Sequence, residues 1–116
     1  MVKVHLNGPG VVVSVSGDID ASNAYQVCDY IHRSVPDGPA LIVDITDVGF
    51  LGVQGLRALM ALGEECGRAG VAWAVVASQS IIRLLRVMRR GDLLPAVASL
   101  AEALQHISPE TSAERR

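Results

Sequence analysis

Residues 41–57 read LIVDITDVGFLGVQGLR. The first ten, rich in Leu, Ile and Val, predict a buried strand. Leu56, Leu59, Met60 and Gly63 then recur at helical spacing, and Cys66 and Gly67 extend the same stripe. Between strand and helix, glycines 49, 52 and 55 predict a turn. It leaves backbone N–H groups at the helix start exposed and positively polarised. Such a terminus accepts an anion, a phosphate or an acceptor group of a partner. No catalytic side chain lies in it.

Working outward, Val2, Val4 and Leu6 alternate with Lys3, His5 and Asn7, and Asn7-Gly8-Pro9-Gly10 supplies turn chemistry. Val11, Val13 and Val15 resume the alternation against Val12, Ser14 and Ser16, so the opening is a hairpin. Ala24, Val27, Cys28 and Ile31 mark a first helix, with Asp20, Ser22 or Asn23 as its cap. Residues 72–77 continue the sheet. A third helix is expected from Gln79 to about Leu94, stopped by Gly91 and Pro95. A short strand at Ala96 to Ala98 follows. Ser99 then caps a last helix through Leu100, Ala103, Leu104 and Ile107, with Glu102 as its capping-box acid.

The order ββαβαβαβα makes this an α/β domain over residues 1–107, with residues 108–116 a polar tail. Strands that alternate with helices after a hairpin imply parallel crossovers of one hand. The expected architecture is one mixed sheet of about five strands with helices packed on one face. Gly63 and Gly67, each costing about 1 kcal/mol of helix propensity, are expected to repay that by close packing on the sheet.

Composition removes several classes of function. Aromatics make up 3% of the 116 residues, which excludes base-stacking platforms, and a net charge of −2 gives no general attraction to nucleic acid. No apolar run approaches the ~20 residues of a membrane-spanning helix. Lys3, His5 and Asn7 interrupt any signal-peptide core. A cytoplasmic protein with two free thiols is expected.

Catalytic signatures are missing too. The G-x-x-G-x-x-G of residues 49–55 is neither the Walker nor the dinucleotide pattern. His5, His32 and His106 show no metal-ligand spacing, so no metal, cofactor or enzymatic activity is expected. Asp18 and Asp20 read as turn and cap residues. Phe50 is assigned to the core. For Leu51 two readings stand, a plug at the sheet end and a contact for a partner. Cys28 and Cys66 fall on core-facing stripes of neighbouring helices; small buried hydrophobe is the commoner role, a redox pair the alternative, and a bridge needs Cα atoms within about 7 Å. Arg83, Arg86, Arg89 and Arg90 form a basic stripe, read as a solvated face or as a seat for an acidic partner.

The element order, the strand LIVDITDVGF, the loop and helix LGVQGLRALMALGEECGRAG and the ending LLRVMRRGDLLPAVASLAEAL together resemble a STAS domain of the bacterial anti-sigma factor antagonist family. The resemblance covers residues 2–107. In that family the loop typically reads F-x-D-S-S-G-L, and its second serine is phosphorylated by a kinase that is also the anti-sigma factor. Aligned on Phe50, Gly55 and Leu56, the aspartate becomes Gly52, the first serine Val53 and the phospho-acceptor Gln54. An amide does not reproduce the roughly −1.5 to −2 charge of a phosphoserine.

The resemblance thus implies a partner-switching regulator that binds a kinase-type anti-sigma factor through Leu51, Gly52, Val53, Gln54, Gly55 and Leu56, with Asp20 and Ser22 contributing, and that is not switched off at Gln54. Such a protein would either antagonise its partner constitutively or be controlled by another input, thiol oxidation at Cys28 and Cys66 being one candidate. Two alternatives keep the fold: an accessory subunit of a lipid-transport ATPase complex, and a nucleotide-binding module. Oligomeric state stays open.

Overall fold

The computed structural model describes residues 2–7, 10–34, 40–88 and 94–107. The chain runs β1 (Val2–Asn7), β2 (Gly10–Ile19), α1 (Ala24–Ser34), β3 (Ala40–Leu51), α2 (Val53–Ala69), β4 (Ala72–Val76), α3 (Gln79–Val87), β5 (Ala96–Val97) and α4 (Leu100–Ile107). The five strands lie in sequence order in one sheet. β1 pairs antiparallel with β2, from Val2 opposite Val15 to Asn7 opposite Gly10. The remaining pairings are parallel. The sheet is mixed and the element order is the one expected; Gly8 and Pro9 of the hairpin turn lie outside the described residues.

Odd-numbered side chains of the inner strands build the main core. Val11, Val13, Val15, Leu41, Val43, Ile45 and Val75 pack there against Ile31 of α1, against Leu56, Leu59, Leu62 and Cys66 of α2, and against Ile81 and Leu85 of α3. The even-numbered set forms a second, smaller core. Val12, Ile42, Ala74 and Val76 are covered by Ala103 and Ile107 of α4. The expectation of helices on one face therefore holds for α1, α2 and α3 and fails for α4. The cause is visible in the strands, whose inner segments are apolar at successive positions and so have two faces to bury.

The long pairing of β2 with β3 is not regular. Ser14 sits opposite Asp44, Ser16 opposite Asp47, Gly17 opposite Val48 and Asp18 opposite Phe50. β3 thus carries one extra residue between Asp44 and Asp47 and another at Gly49, two bulges that each reverse which face the next side chain meets. Val48 consequently joins the odd-numbered core residues, and Leu51 regains its place after the second bulge. Gly17 opposite this stretch has φ 94°, a conformation that suits glycine. Gly49 belongs to the strand and not to the turn, which shrinks to Gly52.

Helix ends follow local chemistry. α2 stops at Gly70, whose φ of 72° lets its N–H turn back to the Cys66 and Gly67 carbonyls. Ser78 caps α3, its hydroxyl accepting from the Ile81 N–H at 3.3 Å. α3 ends at Val87 with Met88 as its cap, well short of the expected Leu94, which is buried in the main core; Gly91 lies outside the described residues. At α4 the Ser99 hydroxyl accepts from the Glu102 N–H at 3.2 Å, and the Glu102 carboxylate accepts from the Ala98 N–H at 3.1 Å. Gly63 does pack closely: a Cβ there would overlap the Trp73 indole. Gly67 does not, with nothing near its missing Cβ.

Candidate functional site

Ile19 and Leu51 end the paired part of β2 and β3, and the Gly52 N–H donates to the Ile19 carbonyl at 2.8 Å. That bond fixes the residue before α2. Gly52 is extended, with φ −79° and ψ 174°, and no side chain caps the first turn of the helix. One turn on, Gly55 is buried against Ile19 and Leu51; a Cβ there would stand 2.6 Å from Ile19 Cγ2 and 2.8 Å from Leu51 Cδ1. Only glycine lets α2 start this close to the sheet end.

The residues named from the sequence separate into two groups. Leu51, Gly55 and Leu56 are buried, so they lie mostly in the core beneath the site. Val53, 60% exposed, and Gln54 lie on the outside of the first turn of α2, with Gly52 half-buried beside them. Phe50, assigned to the core from sequence, is 55% exposed. The bulge at Gly49 turns it outward, opposite the exposed Asp18. Its ring lies over Gly52, with Cε2 3.2 Å from where a Cβ would be.

The loop before α1 meets the same place, since the Asp20 Cα lies 3.7 Å from the missing Cβ of Gly52. Asp20 is held by its own loop. Its carboxylate accepts from the Ser22 N–H at 2.9 Å and from the Ser22 hydroxyl at 2.5 Å. These two bonds, the hydroxyl first, hold its carboxyl below the ordinary 3.8. Asn23 precedes α1 but faces backwards, accepting from the Asp20 N–H and donating to the Asp18 carbonyl. Asp20, Ser22, Gly52, Val53 and Gln54 therefore share one end of the molecule.

Beyond Val53 that end opens into an apolar groove of about 290 Å³, lined by Phe50, Leu51, Val53 and Leu56 on one side and by Leu84, Leu85 and Met88 of α3 on the other. The α3 residues were missed in the sequence. Their signal was there: Ile81, Ile82, Leu84, Leu85, Val87 and Met88 are too many apolar positions for one buried helix face. Ile81 and Leu85 are buried, while Leu84, Val87 and Met88 are exposed. Of the basic stripe, Arg83 and Arg86 are exposed on α3; Arg89 and Arg90 lie outside the described residues.

Cys28 and Cys66 are both free thiols. Cys28 lines a second groove, of about 230 Å³, between α1 and α2, where His32 Nδ1 meets the Glu65 carboxylate at 2.8 Å. Burial, helped by the charge of Glu65, pushes the Cys28 thiol up to about 11 and raises that of Cys66 as well. Neither microenvironment favours the thiolate that redox chemistry requires. Among the described residues no three His, Cys, Asp or Glu side chains are grouped to hold a metal, and no helix is long and apolar enough to cross a membrane.

Comparison with known proteins agrees with this fold. The family model described as "STAS domain" matches residues 1–106. Osmosensory protein A of Mycobacterium tuberculosis is 30% identical over 84 residues, covering 72% of this chain and 53% of that protein. The anti-sigma-F factor antagonist RsfB of Mycobacterium tuberculosis is 40% identical over 73 residues, 62% of this chain and 59% of RsfB. The chain thus spans little more than half the length of these two relatives. A crystal structure of an anti-sigma factor antagonist from Mycobacterium paratuberculosis superposes with a TM-score of 0.82 at 32% identity, covering 92% of each chain. With this fold and these relatives, the chain belongs to the STAS domain family, on its anti-sigma factor antagonist branch.

Proposed function

We propose that this chain is an anti-sigma factor antagonist that docks a kinase-type anti-sigma factor on the first turn of α2 and cannot be switched off by phosphorylation there. The observation that carries the reading is the exposed pair Val53 and Gln54 at an uncapped helix start, beside Asp20 and an open apolar groove. The relatives named as antagonists support the general role. The position that would carry a phosphoserine in the family pattern holds an amide instead. Gln54 offers a donor and an acceptor without charge, which suits a docked surface that stays docked.

Calorimetry against candidate anti-sigma factors tests this. The wild type should bind, and Gln54→Glu should weaken binding about tenfold or more, because a charge introduced without a partner at a docked surface must be desolvated. Equal affinity of the two proteins would remove the first turn of α2 from the interface. Mass spectrometry after incubation with the bound kinase and ATP should find no phosphate within residues 49–57.

A further inference from the structure

The end of the molecule that holds Gly52, Val53 and Gln54 is built by residues 18–23 and 49–57, and these segments contain one hydroxyl side chain, Ser22. Ser22 is exposed, in the short loop between β2 and α1. Its hydroxyl is already oriented. It donates to the Asp20 carboxylate at 2.5 Å, so the hydrogen is turned into the loop and the oxygen lone pairs are left for an incoming group.

Nothing beside the serine compensates negative charge. Residues 10–31 contain no Lys or Arg, and neither do residues 40–56. Asp18 and Asp20 precede Ser22 by four and two positions. A phosphate on Ser22 would remove the hydroxyl donor that Asp20 uses and set like charge against that carboxylate. Asp20 itself lies on Gly52, its Cα 3.7 Å from the missing Cβ. The added charge therefore falls within a Debye length, about 10 Å at 0.1 M salt, of the start of α2.

We propose that Ser22 is a phosphorylation site, modified by an ATP-dependent serine kinase with a basic substrate groove, and that its phosphate closes the docking end that Gln54 leaves open. The effect on docking rests on the function proposed above; the modification itself does not. In the transfer the Ser22 Oγ–P bond forms as the bond from the γ-phosphorus to its bridging oxygen breaks. ADP departs, and the hydroxyl proton leaves along its hydrogen bond to Asp20 and then to water. The basic groove follows from the acids before the serine and the lack of any Lys or Arg around it. Once attached, the phosphate is repelled by Asp20 and drawn across Gly52 to the first turn of α2, which has neither a side-chain cap nor an acid. It places a charge of roughly −1.5 to −2 beside Val53 and Gln54.

Three measurements on the full chain test this. Labelled ATP added to a lysate of the bacterium that makes the protein should label the wild type and Ser22→Thr but not Ser22→Ala, and mass spectrometry should place the phosphate on residue 22. Circular dichroism checks that both variants are folded. No label in the wild type, or equal label in Ser22→Ala, would overturn the proposal.

For the second, phosphoserine is installed at position 22 by codon reassignment and followed by 15N NMR. The Gly52, Val53 and Gln54 amides should move as pH crosses the second ionisation of the phosphate, near ~6, and stay fixed in the unmodified protein. Amides of α2 that ignore this ionisation would break the link between the loop and the helix start. For the third, an anti-sigma factor should bind the phosphorylated chain at least tenfold more weakly, with phosphatase restoring the affinity. If it binds both forms alike, this inference falls and the proposed function stands. If labelling and NMR hold while no anti-sigma factor binds the unmodified chain, the proposed function falls and the phosphorylation site stands.

Discussion

Replacing Gly55 by alanine tests whether the start of α2 is placed by contact with the sheet end. A methyl there would stand 2.6 Å from Ile19 Cγ2 and 2.8 Å from Leu51 Cδ1, both well inside van der Waals contact. Neither neighbour has room to yield: Ile19 is 2% exposed, Leu51 is 9% exposed, and a β-branched side chain such as Ile19 is stiff at χ1. Overpacking costs about 1–3 kcal/mol, and two contacts this short in a closed site put it in the upper part of that range, about 2–3 kcal/mol. Helix propensity returns up to ~1 kcal/mol for Gly→Ala. The net loss is therefore about 1–2 kcal/mol. At ~2.1 cal/mol/K of unfolding entropy per residue, a domain of this size loses about 4 °C of Tm per kcal/mol, so a fall of roughly 4–8 °C is expected. Gly67→Ala is the matched control, because nothing lies within 4 Å of its missing Cβ. It should gain about 0.5–1 kcal/mol and raise Tm by roughly 2–4 °C. Thermal melts followed by circular dichroism read both. Gly55→Ala melting at or above the wild type would refute the close docking of α2 on Ile19 and Leu51.

Three further outcomes follow from the site. Gln54→Glu puts a carboxylate in a first turn that has none, so it should raise stability by about 0.3–1 kcal/mol in urea titrations while weakening partner binding; a loss of both would show a folding defect instead. The Asp20 carboxyl should titrate below 3.8 by 13C NMR and return toward it in Ser22→Ala. Because the folded value is the lower one, the loop's contribution is present above 3.8 and is lost as pH falls through the folded value; an unshifted wild-type titration would contradict the Ser22 bonds. Cys28, at about 11 against an ordinary 9.0, should hold about a hundredfold less thiolate at pH 8 than an unfolded thiol and react with iodoacetamide correspondingly slowly. Its contribution to stability is complete below 9 and fades as pH rises toward 11; rapid labelling of the folded protein at pH 8 would contradict its burial.

Much of the fold was legible because local signals agreed with one another. Alternation in β1 and β2, helical stripes in α1 and α2, and the Ser99/Glu102 pair each named their element, and the resemblance named the whole. The failures have physical causes. Alternation makes Val12 the outward partner of Val11 and Val13, yet three consecutive valines describe a strand covered on both sides, and α4 is what covers the second. The end of α3 carries no glycine or proline at Val87 or Met88, so no residue announces it. The side chains of the site were the hardest to place. Spacing tells which residues follow the strand, but bulges decide which of them face out, and a bulge leaves only a weak mark in one sequence.

Those bulges connect the fold to the site. β3 spends two more residues than β2 between the Ser14–Asp44 and Ile19–Leu51 pairs, so the strands finish level despite unequal lengths. Finishing level brings Ile19 and Leu51 inward together, and the gap they leave is narrow enough to demand glycine at position 55. The same second bulge turns Phe50 outward, where it becomes one wall of the groove. Burying Phe50 would require removing Gly49 from the ladder, which would reverse the facing of Leu51 and undo the seat of α2. The exposed phenylalanine and the buried glycine are thus two results of one irregularity in β3. An apolar wall at the start of α2 persists for as long as that helix is held against the sheet.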